Sequence, residues 1–144
     1  MKKALIIFNN KSSKTRRFGE EIAAFLLNRG LATELITINN FEPTKLKGAD
    51  YLLLSGWKSK SLISFSQPDS EWNNFVNKLP SLNGMRIAMF ATYNFFAGGI
   101  FRRMKKYLSG KTKDIGVAIK SKDGSLSISD KMTLNEFIDW LKIF

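Results

Sequence analysis

Three short polar segments hold most of the side chains in this chain that could bind or transform a ligand. The first reads Asn9-Asn10-Lys11-Ser12-Ser13-Lys14-Thr15, between an apolar run and an amphipathic segment opened by Arg16 and Arg17. Hydroxyls, small residues and cations at the amino end of a helix suit a phosphate. Backbone N–H groups and the positive end of the helix dipole face the anion, and Ser and Thr add donors. The same residue types also serve as a plain helix cap with no ligand, and spacing alone leaves both readings open. The second segment is Ser55-Gly56-Trp57-Lys58-Ser59-Lys60, and the third is Thr92-Tyr93-Asn94-Phe95-Phe96-Ala97-Gly98-Gly99. Each puts a large aromatic directly after an apolar run. Two aromatics flanking one crevice would sandwich a planar ring system. The plainer use of Trp57, Phe65, Phe95 and Phe96 is to cover the end of a sheet as core. No side chain stands out as a catalytic acid, base or nucleophile.

Composition narrows the chemistry further. The 144 residues include no cysteine and no histidine. That excludes thiol catalysis, the usual zinc ligand sets, a cysteine-ligated cluster and any histidine-dependent triad. With 44% hydrophobic and 24% charged residues, the chain reads as one globular domain spanning 1–144.

The elements that must position these segments alternate. Apolar runs at 4–8, 35–38, 51–54, 87–90 and 115–119 have the length of strands buried on both faces. Phe18, Ile22, Phe25 and Leu26 form a helical stripe stopped by Gly30, and Trp72, Phe75, Val76 and Leu79 form another stopped by Pro80. Ile100, Phe101, Met104, Tyr107 and Leu108 share one helix face before Gly110. Leu134, Phe137, Ile138 and Leu141 repeat the pattern, with Thr133 expected as the cap. Only a single turn fits near 44–48, and 120–131 reads as a loop or small hairpin turning at Asp123-Gly124. Strand, helix, strand in repetition predicts an α/β, three-layer α-β-α, doubly wound fold. Its five-stranded parallel sheet is expected in the order 2-1-3-4-5. A ligand then sits where the winding reverses, at the carboxyl ends of strands 1 and 3. The three polar segments are the loops there.

On those residues the chain resembles the flavodoxins. KALIIFNNKSSKTRRFGEEIAAFLLNRG is similar to their first strand, phosphate loop and first helix; GADYLLLSGW is similar to the third strand, and LNGMRIAMFATYNFFAGGIFRRM to the fourth strand and flavin-flanking loop. Against the family's Ser/Thr-x-Thr-Gly-Asn-Thr loop, Thr15 matches, Ser12 keeps a hydroxyl and Asn10 substitutes an amide. Ser13 stands where glycine is usual, which strains the loop if that position needs a positive φ. Lys14 stands where asparagine is usual and can offer a cation instead. The resemblance implies flavin mononucleotide (FMN) as cofactor. Asn10, Lys11, Ser12, Ser13, Lys14 and Thr15 would take the phosphate; Gly56, Trp57, Thr92, Tyr93, Asn94, Gly98 and Gly99 would surround the ring. It implies an electron carrier, with two alternatives: a flavin-free binding module on the same fold, and a small FMN-dependent NAD(P)H reductase. A response-regulator receiver is excluded. It needs an acidic cluster where Asn9 and Asn10 stand and a phospho-acceptor aspartate where Ser55 and Gly56 stand. Residues 58–68, with four serines plus Leu62, Ile63 and Phe65, read as a flap or a docking surface.

Charge defines the partner. The formal net charge is +11, and residues 99–120 carry seven cations against the single anion Asp114. Arg102, Arg103, Lys105 and Lys106 occupy the helix arc opposite the apolar stripe. A face of one sign predicts a redox partner with an acidic docking surface, or non-specific contact with nucleic acid. The apolar run at 4–8 is too short for a signal peptide core, and no run approaches a membrane span. A cytoplasmic protein with no membrane insertion is the expectation.

Overall fold

Each of the five apolar runs becomes a strand in a computed structural model that describes residues 2–9, 12–56, 70–93, 99–113 and 115–139. In chain order the elements are β1 (Lys3–Phe8), α1 (Ser13–Asn28), β2 (Ala32–Thr37), two 3₁₀ turns (Ile38–Asn40 and Pro43–Leu46), β3 (Tyr51–Gly56), α2 (Ser70–Lys78), β4 (Arg86–Thr92), α3 (Ile100–Leu108), β5 (Ile115–Ser121) and α4 (Ile128–Asp139). The strands form one sheet in the order β2-β1-β3-β4-β5. Every neighbouring pair is parallel. The predicted architecture is therefore the observed one.

Alternation along the strands divides the core into two layers. Leu5, Ile7, Leu52, Leu54, Ile87 and Met89 pack with α2, α3 and the Phe41–Leu46 connection. Ala4, Ile6, Phe8, Leu53, Ala88 and Phe90 pack with α1 and α4. Phe18 on α1 meets Phe90 edge to face at 5.9 Å. Trp72, Leu5 and Ile22 are all fully buried, as expected where helices cover both faces of a parallel sheet.

Several local expectations are corrected. β2 and β5 are edge strands and stay partly exposed, because each lacks a neighbour on one side. Ile38 leaves the sheet to begin a 3₁₀ turn. Helix α1 begins at Ser13 rather than at Arg16, since Ser12 already supplies its cap. Helix α4 starts at Ile128, nearly two turns earlier than a Thr133 cap allows. Ser127 caps it, accepting from the Asp130 N–H at 3.0 Å, while the Thr133 hydroxyl donates back to the Ser129 carbonyl at 3.2 Å. Tyr107, expected on the buried stripe of α3, is 42% exposed and packs its ring edge against Trp72 at 6.2 Å.

Candidate functional site

The carboxyl edge of the sheet is assembled from polar groups that tie strand ends together. After β1, Asn9 is buried and its N–H donates to the Ser55 hydroxyl at 3.1 Å. The Ser55 carbonyl accepts from the indole N–H of Trp72 at 3.0 Å. A buried serine and a buried tryptophan thus satisfy each other across two layers and hold the ends of β1 and β3 level.

Ser12 follows in extended backbone, φ −124° and ψ 125°, and its hydroxyl accepts the Thr15 N–H at 3.3 Å. The cap is therefore real, and the amino end of α1 aims its first-turn N–H groups at the loop. Ser13 and Lys14 are exposed within that first turn. No non-glycine residue among those described has a positive φ, so serine at position 13 carries no backbone strain.

Thr15 is the cross-link. Its side chain is buried, and its hydroxyl lies 2.7 Å from that of Thr92 at the end of β4. One hydroxyl donates to the other, which leaves the pair one proton for an outside acceptor. This bond joins the first and third segments directly, across the intervening β3. Tyr93 continues from Thr92 with its N–H on the Ser121 carbonyl at 3.2 Å. Lys120 holds its ammonium 5.9 Å from the Tyr93 ring centre, within cation–π range.

Two glycines on this edge have local reasons, one of space and one of backbone conformation. At Gly56 a Cβ would stand 2.2 Å from the Met104 sulfur of α3. Gly99 adopts φ 78° as it leads into α3, a conformation that favours glycine. The Gly99 carbonyl accepts the Arg103 N–H at 3.0 Å.

The loop between β5 and α4, expected from sequence as a turn at Asp123-Gly124, also packs on this edge, which the sequence reading did not anticipate. Gly124 has φ 89°, and a Cβ there would lie 2.6 Å from the Lys14 carbonyl oxygen, so this loop braces the first turn of α1. Leu126 N–H donates to the Glu21 carboxylate on α1 at 2.9 Å. Asp123 accepts from the Ser125 hydroxyl at 2.6 Å, from the Ser125 N–H at 2.9 Å and from the Ser121 hydroxyl at 3.2 Å. These bonds, led by Ser125, hold its carboxyl down to about 2. The signal was present in Ser121-Lys122-Asp123-Gly124-Ser125, an aspartate followed by glycine and serine, which favours a self-bonded turn.

Of the expected ligand contacts, Ser12, Ser13, Lys14, Thr15, Gly56, Thr92, Tyr93 and Gly99 lie on this edge. Asn10, Lys11, Trp57, Asn94 and Gly98 lie outside the described residues, as does the segment 58–68. Arg102, Lys105 and Lys106 are exposed on α3 and Arg103 is half-buried. They stand on the layer opposite α1. Among the described residues, no group of histidine, cysteine or carboxylate side chains could hold a metal ion.

No protein-family model and no curated sequence matches the chain. Solved structures do. Flavodoxin 1 from Bacillus cereus superposes with a TM-score of 0.71 at 17% identity, covering 99% of both chains. Two-electron-reduced flavodoxin from Megasphaera elsdenii reaches 0.76 at 18% identity over 93% of this chain and 96% of that one. The FMN-bound flavodoxin of Fusobacterium nucleatum gives 0.65 at 16%, covering 99% and 98%. The fold is the flavodoxin fold. Its winding reverses between β1 and β3, and the polar cluster described above sits at the carboxyl end of that reversal. No helix of the described residues is long and apolar enough to cross a membrane.

Proposed function

We propose that this chain binds FMN without a covalent bond and carries electrons through it. The observation that carries the reading is the meeting of the Ser12-capped amino end of α1 with the Thr15–Thr92 hydroxyl pair, at the reversal point of a fold it shares with flavodoxins. One of those relatives is solved with flavin mononucleotide bound. The donor set fits a phosphate: helix N–H groups, the Ser12 and Ser13 hydroxyls, and the Lys14 ammonium. Asn10 and Lys11 complete the loop in sequence. Tyr93 gives the ring an aromatic neighbour, with Gly56, Thr92 and Gly99 as backbone close to it. Trp57, Asn94 and Gly98 are assigned to the same ring by sequence position. The flavin, once bound, supplies the one- and two-electron chemistry, and the protein positions it and sets its electrostatic surroundings.

The partner is a redox protein with an acidic docking face, received on Arg102, Arg103, Lys105 and Lys106. Among the described residues none of these four makes an ion pair, so their field is available for steering. Helix α3 is placed to pass contact toward the flavin edge: it begins at Gly99 and packs Met104 against Gly56.

Absorbance and fluorescence titration of the purified protein with FMN test the cofactor. Saturable uptake with quenched flavin fluorescence is expected. A protein that stays colourless and leaves added FMN free overturns the reading.

A further inference from the structure

The opposite edge of the sheet carries a polar concavity, independent of the flavin proposal. The turn between α2 and β4 and the turn between α3 and β5 meet there, joined by the Leu82 N–H on the Lys111 carbonyl at 2.8 Å. Between them opens a cleft of about 500 Å³, lined by Ser81, Asn83, Ser109, Lys111, Thr112 and Lys113, with Gly110 at the bend. That volume lies within the range of small-molecule sites, roughly 300–1,000 Å³. The lining is unusual for one. It offers hydroxyls, an amide and two ammonium groups, no carboxylate and no large apolar side chain.

We infer that this cleft binds the phosphate or diphosphate group of a small phosphorylated molecule. Lys111 and Lys113 supply point charge, and the Ser81 hydroxyl, which accepts from the Asn83 N–H at 3.4 Å and keeps its own proton to donate, adds a neutral donor; together they match a tetrahedral oxyanion. The nearby end of α3 would oppose an anion through its dipole, yet its carbonyls are already occupied. The Lys106 carbonyl accepts from the Ser109 hydroxyl at 2.8 Å, and the Leu108 carbonyl accepts from the Lys111 and Thr112 N–H groups at 2.8 and 3.0 Å. The sign of the cleft is therefore set by Lys111 and Lys113, reinforced by Lys105 and Lys106 one turn away on α3.

Amide-resolved NMR of the flavin-free protein, titrated with inorganic pyrophosphate and in parallel with adenosine diphosphate, tests this. Saturable shifts confined to 81–83 and 109–113 are expected. K111Q/K113Q should weaken binding by about tenfold, as the loss of two charge-assisted contacts requires. K111R/K113R should retain it, and FMN affinity should be the same in all three proteins. Lys113 is exposed and Lys111 half-buried, and the arginine pair controls for folding. Identical shifts from sodium chloride at matched ionic strength would overturn the inference. So would shifts confined to 12–15, or binding unchanged in K111Q/K113Q. Tighter binding of a single-stranded oligonucleotide, with shifts spread along α3, would replace the small ligand by a polyanion and equally refute it.

Discussion

Helices α1 and α3 cover opposite faces of the same sheet, and both bring cations to its surface, but they neutralise them differently. On α1, Arg16 pairs with Glu20 at 3.3 Å and Arg17 with Glu21 at 3.0 Å, each one turn apart. On α3, Arg102 stands three and four residues from Lys105 and Lys106, and Arg103 three from Lys106, with no acid on the helix, so like charges repel along it. Their anchors differ too. Helix α1 is held by a backbone-to-backbone approach, Gly124 against the Lys14 carbonyl, whereas α3 rests its Met104 side chain on Gly56. The self-neutralised helix is the rigidly seated one, and it presents its amino end to the candidate phosphate site. The uncompensated helix sits on a softer contact, and no acid of its own offsets its field.

The largest expected effect tests the two anchors. Gly124→Ala forces a side chain into a positive φ and against a carbonyl oxygen that cannot move alone. It should cost about 2–4 kcal/mol, combining strain and overpacking. Gly56→Ala meets only the end of a methionine, which has three rotatable bonds, and should cost nearer 1 kcal/mol. Chemical denaturation of both variants checks the order; a reversal would mean that Met104 is the stiffer contact.

Next is charge. Reversing Lys105 and Lys106 to glutamate should slow electron transfer with a small acidic iron–sulfur protein by about 10–100-fold at low salt. The rates should converge as salt rises. Replacing Arg16 and Arg17 by glutamine should change that rate little. Stopped-flow kinetics across ionic strength decides, and equal sensitivity of the two helices would erase the comparison.

The Thr15–Thr92 pair should be smaller. Each valine replacement should cost about 1 kcal/mol, and the double variant should cost less than the sum because one bond is shared. Strict additivity in denaturation would show that the hydroxyls act separately. The least effect is in acid. Asp123 titrates below its ordinary range in the fold, so its stabilising share is present above about pH 4 and fades as pH falls toward about 2. Asp123→Ala should flatten that limb of a pH-dependent unfolding curve.

Much of this was legible beforehand. The runs at 4–8 and 51–54 carried β1 and β3 because a strand buried on both faces is written as continuous apolar sequence. The edge strands were overrated for the same reason, since a short apolar run does not record whether a neighbour covers each side. Thr133 was mistaken for a cap because threonine suits both a cap and a mid-helix back-bond, and only the position of Ser127 separates them. Thr15 lies in the first loop region at the reversal edge, as the order of elements implied, but its partner Thr92 is 77 residues away, and no local pattern encodes that distance.

Order and alternation of apolar and polar residues therefore determined the layers, the strand count and which loops gather where the winding reverses. These follow from burial, which acts residue by residue and leaves a period in the sequence. Tertiary structure alone decided which hydroxyls meet, that the Gly124 loop braces α1 and that Trp72 seals β3. It also decided that a polar cleft opens at the far edge. Each of those depends on groups distant in the chain approaching within a hydrogen bond or a van der Waals radius, and only the packed backbone sets such distances.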